Sequence, residues 1–308
     1  MNVKTCFSAV LACAIIWITS CADLSAAEPK HAFTHDRGVT YSSPGGAALK
    51  AEVYTPKGAG PFPGVLVVHG GAWRTGSRVH MSRAAERLAE RGYAAVAIDY
   101  RLAPKHPYPA QIEDCQAAVR WMRSSAKKYR IDTERIGGYG YSAGGHLVAL
   151  LGVLSDDAEK NDAEKNDGKN DHGNGTQGGA TQPNARLQAV VAGGAPVNFE
   201  LLPRNTKALA YWLGGTRGEK PDVYRQASPT AHITADDPPM FFFHGSADAL
   251  VPQISPMAMV GLLTAAKVPA KLHVVEKAGH IGAMFDAAAL EASIAFFDER
   301  LKPVEAAK

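Results

Sequence analysis

The sequence predicts an α/β fold: a mostly parallel, doubly wound sheet of eight strands, with helices on both faces and a small cap. Three observations carry this. Short apolar runs alternate with stretches of helical spacing along most of the chain, an order that right-handed crossovers convert into a parallel sheet. One run, Val65-Leu66-Val67-Val68, is apolar without alternation, as a central strand covered on both faces must be. The 308 residues, 46% hydrophobic and 20% charged, suffice for one substantial core.

In order, Val39–Tyr41 and Leu49–Val53 read as an N-terminal antiparallel hairpin, followed by the Val65–Val68 strand. Met81 to Arg91 has helical spacing, and Ala94 to Asp99 is the next strand. Ile112, Cys115, Val119 and Met122 recur on one face of a helix over Ile112 to Ala126. Arg135–Tyr139 then reads as a buried strand and His146–Leu151 as an apolar helix. Leu187–Val191, Met240–Phe243 and Leu272–Val275 supply three further strands, with helices over Met257–Ala266 and Leu290–Leu301. The body of the chain, 28–308, is thus expected as one domain.

Two stretches break the rhythm. Asp156 to Pro183 is polar and rich in Gly, Asn and Asp, with the tandem Asp157-Ala158-Glu159-Lys160-Asn161 and Asp162-Ala163-Glu164-Lys165-Asn166. It has too little apolar surface to offset ordering entropy, so a disordered insertion is expected over 156–183. Its acids are interleaved with lysines and lack Gly-centred loop spacing, which argues against a calcium site. The second stretch, Asn198 to Pro239, contains Tyr211-Trp212-Leu213 and follows the sixth strand, where a cap over the active site is expected.

Residues 1–27 read as a secretory signal peptide: the basic start Met1-Asn2-Val3-Lys4, an apolar run from Phe7 to Ile18, and the small residues Ser25-Ala26-Ala27. The run is short for a membrane span. Export, to the periplasm or the medium, is therefore expected. Ile18-Thr19-Ser20-Cys21 also resembles a lipobox, and a lipid on Cys21 is the one membrane attachment the sequence offers. Cys6, Cys13 and Cys21 lie in the leader, leaving Cys115 alone in the body, without a partner for an intramolecular disulfide. A net charge of +3 and no long Lys/Arg cluster argue against nucleic acid. There is no P-loop, no strand-linked G-x-G-x-x-G and no H-E-x-x-H, so neither cofactor nor metal is expected. The oligomeric state is left open.

The chemistry concentrates at Gly140-Tyr141-Ser142-Ala143-Gly144, between a strand and an apolar helix. A chain that turns this sharply at a serine needs small flanking residues, and it lifts Oγ clear of the sheet edge. Serine at neutral pH is a poor nucleophile and requires a base oriented by an acid. His280, in a loop after the last strand with a small Ala-Gly lead-in, is the candidate base. Asp248, just past the end of the Met240–Phe243 strand, is the candidate acid; Asp236 and Asp237 precede Pro238-Pro239 at the entry end of that strand, the wrong edge. His69-Gly70-Gly71-Ala72-Trp73 follows the Val65–Val68 strand directly, so backbone N–H groups of Gly71 and Ala72, with that of Ala143, are the candidate oxyanion donors. His69 is expected to hold this loop by hydrogen bonding, and Trp73 to be a pocket wall or loop anchor. Trp73, Tyr141 and Trp212 are the candidate substrate-contacting residues.

The order Ser142, Asp248, His280 is that of the α/β-hydrolases. With His69-Gly70-Gly71, Asp99-Tyr100-Arg101-Leu102-Ala103-Pro104 and Tyr108-Pro109-Ala110, the chain resembles the hormone-sensitive-lipase branch of their esterases. Ala72-Trp73, Asp237-Pro238-Pro239 and His244-Gly245-Ser246-Ala247-Asp248 are more similar to the BD-FAE-like group of feruloyl and acetyl esterases, which itself resembles the prolyl-oligopeptidase catalytic domain. The resemblance runs from about Val39 onward, outside the 156–183 insertion. It implies hydrolysis of carboxylic esters, with a small-molecule or polysaccharide-linked ester as substrate. Two alternatives stand beside it. One is a small-amide hydrolase or peptidase of the same fold, although no propeller-length repeat is present. The other is a noncatalytic binding protein on a hydrolase scaffold, which requires a broken constellation.

Overall fold

The computed structural model describes residues 30–154 and 184–302. The leader, Cys21 and the 156–183 insertion lie outside them. Strands β1 (Phe33–Ser42), β2 (Leu49–Pro56), β3 (Phe62–Val68), β4 (Ala94–Ile98), β5 (Ile131–Tyr141), β6 (Ala189–Gly193), β7 (Met240–Gly245) and β8 (Ala270–Val275) join in one sheet, in the order β1-β2-β4-β3-β5-β6-β7-β8. The β1–β2 hairpin is antiparallel, as expected, and β2 meets β4 antiparallel; every other pairing is parallel. Local turn chemistry can build the hairpin, whereas each parallel step needs a helical crossover.

The helices are α1 (Ser82–Glu90), α2 (Ala110–Ser124), α3 (Ala126–Tyr129), α4 (Ala143–Val153), α5 (Ala210–Leu213), α6 (Pro221–Gln226), α7 (Ile254–Ala265), α8 (His280–Met284) and α9 (Ala287–Leu301). A tight turn over Arg78–Met81 precedes α1, so that helix begins one residue later than its apolar spacing suggests. On one face of the sheet, Leu88 of α1 packs with Phe297 and Leu301 of α9. On the other, Val119 of α2, Leu147 of α4 and Met259 of α7 pack with Trp73 and Trp212. Cys115 is fully buried there, and burial pushes its thiol pKa up, in keeping with packing as its role. β5 is central and carries glycines where both layers press closest. A Cβ at Gly137 would lie 2.8 Å from Phe297, and one at Gly138 2.7 Å from Leu187.

The 198–239 stretch, where a cap is expected, carries α5 and α6. Trp212, Leu213 and Tyr224 are buried, and the stretch packs against α2, α4 and the loop after β3. Trp212, Leu213 and Tyr224 join the main core, and the Tyr211 hydroxyl ties the stretch to Ala72 O in the loop that borders the cleft above Ser142.

Candidate active site

The carboxyl ends of β3, β5, β6, β7 and β8 deliver the site. Between β5 and α4, Ser142 adopts φ 55° and ψ −120°, a conformation that non-glycine residues reach only under constraint. The constraint is visible. A Cβ at Gly140 would lie 2.3 Å from Gly144 O, and one at Gly144 2.1 Å from Val68 O, so neither position admits a side chain. The Ser142 N–H donates to Gly193 O at 2.8 Å, and the His146 N–H donates to Ser142 O at 2.9 Å, closing the first turn of α4.

The loop after β7 brings Asp248 to this turn. Asp248 Oδ1 accepts from the Leu250 and Val251 N–H groups, each at 2.9 Å, and Oδ2 accepts from His280 Nδ1 at 2.6 Å. His280 Nε2 lies 2.9 Å from Ser142 Oγ. An ionised carboxylate accepts only, so His280 carries its proton on Nδ1 and turns the Nε2 lone pair to the serine hydroxyl. Burial pushes the Asp248 carboxyl up, but the Val251 N–H, His280 and the Leu250 N–H outweigh it and hold its pKa below the ordinary carboxylate value. A further histidine supports the acid. His244 Nε2 donates to Val251 O at 2.7 Å and lies 3.3 Å from Asp248 Oδ2. Burial lowers the His244 pKa and favours its neutral form.

After β3, three consecutive residues take positive φ: Gly71 (116°), Ala72 (50°) and Trp73 (57°). A Cβ at Gly71 would lie 2.2 Å from Thr75 O, and one at Gly70 2.9 Å from Tyr141 O, so these glycines let the loop fold on itself and close on the elbow. Gly71 O accepts the N–H groups of Arg74 and Thr75. Among the described residues, the N–H groups of Gly71, Ala72 and Ala143 donate to no other protein group. His69 Nδ1 lies 2.7 Å from Gly70 O, and its ring stacks on Tyr100 at 4.2 Å, in the holding role expected of it. Burial lowers its pKa to about 4. Asp99 clamps the far end of the loop, accepting from the Arg78 N–H at 2.8 Å and from its guanidinium.

Above Ser142 and His280 lies an open cleft of about 870 Å³. Arg74, Thr75 and His80 form one side; Leu250, Ile281, Met284 and Phe285 form an apolar wall. Leu250, Ile281 and Phe285 are 74%, 62% and 56% exposed, more than a core position allows. Sequence reasoning missed this wall, although Ile281 to Phe285 follow the candidate base within α8 and its cap. The structure brings Ser142, Asp248, His280, Gly71, Ala72 and Ala143 together. It does not bring the three candidate substrate residues to the substrate. Trp73 and Trp212 are buried and stacked face to face at 3.8 Å, because each ring hides the most apolar surface against the other. Tyr141 borders the cleft, but its ring is buried and its hydroxyl is engaged with His280 O.

A strained serine elbow, a Gly-rich loop and a carboxylate–histidine pair on the carboxyl edge of this sheet define an α/β-hydrolase. The BD-FAE family model matches residues 51–260, and the chain belongs to that family. It is 31% identical over 229 residues to Esterase LipC of Mycobacterium tuberculosis, a match covering 71% of this chain and 53% of LipC. The chain thus spans about half the length of that relative. Among solved structures, a truncated carbohydrate esterase from gut microbiota is similar with a TM-score of 0.74 and 27% identity, over 90% of this chain and 99% of that one. The thermophilic esterase Est2 of Thermogutta terrifontis shares the fold, with a TM-score of 0.69 and 24% identity over 90% of this chain and 96% of Est2.

Proposed function

We propose that the protein is an exported serine carboxylesterase acting on small or carbohydrate-linked acyl esters of the acetyl or feruloyl type. The observation that carries the chemistry is the continuous line Asp248 Oδ2, His280, Ser142 Oγ, at 2.6 and 2.9 Å. Ser142 Oγ attacks the ester carbonyl while His280 Nε2 takes its proton. The tetrahedral oxyanion receives hydrogen bonds from Gly71, Ala72 and Ala143 N–H groups. Collapse breaks the bond to the alcohol, which leaves with the proton from His280, and the acyl group stays on Ser142. Water then attacks the acyl-enzyme, His280 again taking and returning a proton. Asp248 holds the imidazole tautomer and stabilises the imidazolium.

A carbohydrate-linked acyl group is supported by the similarity to a carbohydrate esterase at 27% identity. The wall of Leu250, Ile281, Met284 and Phe285 suits an apolar or aryl acyl group. Export rests on the sequence pattern of residues 1–27, and attachment through a lipid on Cys21 is its membrane-bound form. Intact mass of the mature protein separates the two, an acylated Cys21 start identifying the lipoprotein. The noncatalytic alternative needs the three side chains apart, and their contact favours catalysis.

The test is hydrolysis of p-nitrophenyl acetate and feruloyl and acetyl polysaccharides, each beside its isosteric amide where one exists, by wild type and Ser142→Ala. Ester turnover that disappears in a folded Ser142→Ala variant is expected. Undiminished turnover in that variant removes the mechanism, and faster amide cleavage makes the protein an amidase.

A further inference from the structure

One titratable side chain next to the nucleophile has no part in the triad. His146, on α4 one turn beyond Ser142, is fully buried. Trp73 Nε1 donates to His146 Nδ1 at 3.2 Å, and His146 Nε2 contacts Ala227 O at 2.7 Å. An indole can only donate and a carbonyl can only accept, so His146 is neutral, with its proton on Nε2 and its lone pair on Nδ1. Burial lowers its pKa to about 4, which keeps this polarity across the neutral range.

Three pieces of chain meet at this ring. The first turn of α4 carries Ser142, whose carbonyl accepts the His146 N–H. The Gly-rich loop contributes Trp73. The 198–239 stretch contributes Ala227, the Trp212 ring parallel to Trp73 within 2°, and the Tyr211 hydroxyl, which donates to Ala72 O at 2.6 Å. The loop needs such support. Ala72 and Trp73 both hold positive φ, a strained state for a non-glycine residue that persists only where surroundings over-determine it.

We propose that His146 is a positioning residue that, through Trp73, fixes the Gly71 and Ala72 amides relative to Ser142, so that the oxyanion site is formed before substrate arrives. The 198–239 stretch is then a buttress of the oxyanion loop. The proposal rests on the esterase reading, and the experiment keeps the two apart.

His146→Leu removes both hydrogen bonds. His146→Gln keeps them, its amide oxygen accepting from the indole and its NH₂ donating to Ala227 O. Misplacing one oxyanion donor lowers kcat by about 100-fold in comparable sites, so the Leu variant is expected to lose about that much with KM within about twofold. The Gln variant is expected to stay within about fivefold of wild type, as this rescue requires. A role in packing alone moves melting temperature and leaves the kcat of the folded fraction intact. The proposal is overturned if folded His146→Leu keeps more than about a third of wild-type kcat, or if His146→Gln falls as far as Leu. Should the Leu variant not fold, Trp73→Phe breaks the same bond from the loop side and is read by the same criteria. If wild type hydrolyses no ester, the activity reading fails alone, and amide exchange over Gly71–Thr75 decides. Faster exchange in Leu than in wild type and Gln supports the positioning role, and equal exchange overturns it.

Discussion

At the scale of single residues, Asp248 shows how much of the site is made by hydrogen bonds to one carboxylate. Two backbone N–H groups hold Oδ1, while His280 binds Oδ2 and His244 flanks it. Asp248→Asn keeps the shape and removes the charge. Its amide nitrogen can donate to His280 Nδ1, which forces the proton onto Nε2 and leaves nothing to accept from Ser142. Loss of kcat by about 10⁴-fold is expected, with KM little changed and melting temperature close to wild type. Steady-state kinetics checks this, and a loss under tenfold would mean that His280 keeps its tautomer without the carboxylate.

At the scale of elements, the turn between β5 and α4 depends on glycines that cannot be replaced, in contrast to a glycine in α7 that can. A Cβ at Gly144 would meet Val68 O at 2.1 Å and His69 O at 2.6 Å, backbone atoms that cannot step aside without parting α4 from β3. Gly144→Ala is expected to abolish activity and to lower the melting temperature by several degrees. Gly261 sits exposed inside α7 with nothing within 4 Å of its would-be Cβ. Gly261→Ala is expected to stabilise by about 0.5–1 kcal/mol, with unchanged kcat, because the unfolded chain loses freedom. Thermal melts of the pair check both signs. The same contrast explains what was legible in the sequence. The elbow, the acid and the base each sit in a loop just past a strand end, so local pattern and topology together place them on one edge. Trp73 and Trp212 are 139 residues apart, and nothing local distinguishes a ring facing substrate from a ring facing another ring. The apolar wall was hidden for the converse reason: nothing local separates Ile281 and Phe285 from apolar residues of the core, and only their exposure shows that they line a cleft.

At the scale of the whole molecule, buried neutral histidines set how stability responds to acid. Burial holds the pKa of both His69 and His146 near 4, against 6.5 for a free imidazole. Between these values the unfolded chain binds protons that the folded chain refuses, so unfolding free energy rises with pH across that window and falls on acidification. Each histidine contributes stability that is fully present above about 6.5 and lost progressively by about pH 4, up to about 3 kcal/mol apiece. His244, lowered by burial as well, acts in the same direction. The carboxylates follow in a second stage. Glu52, held down against its burial by Arg78 and His35, and Asp248 both have depressed pKa values. Their stabilisation is present above the ordinary carboxylate range and is lost as pH falls through their folded values. Urea unfolding at steps from about pH 7 to 5 should therefore show a steady loss of stability before any carboxylate of ordinary pKa is half protonated. His146→Gln, which cannot take up a proton, should flatten that slope by the share of one histidine. A slope identical to wild type would mean that His146 is already protonated in the folded protein. The Trp73 indole would then have no lone pair to meet, so one titration tests both the acid sensitivity of the fold and the polarity of the bond that braces its oxyanion loop.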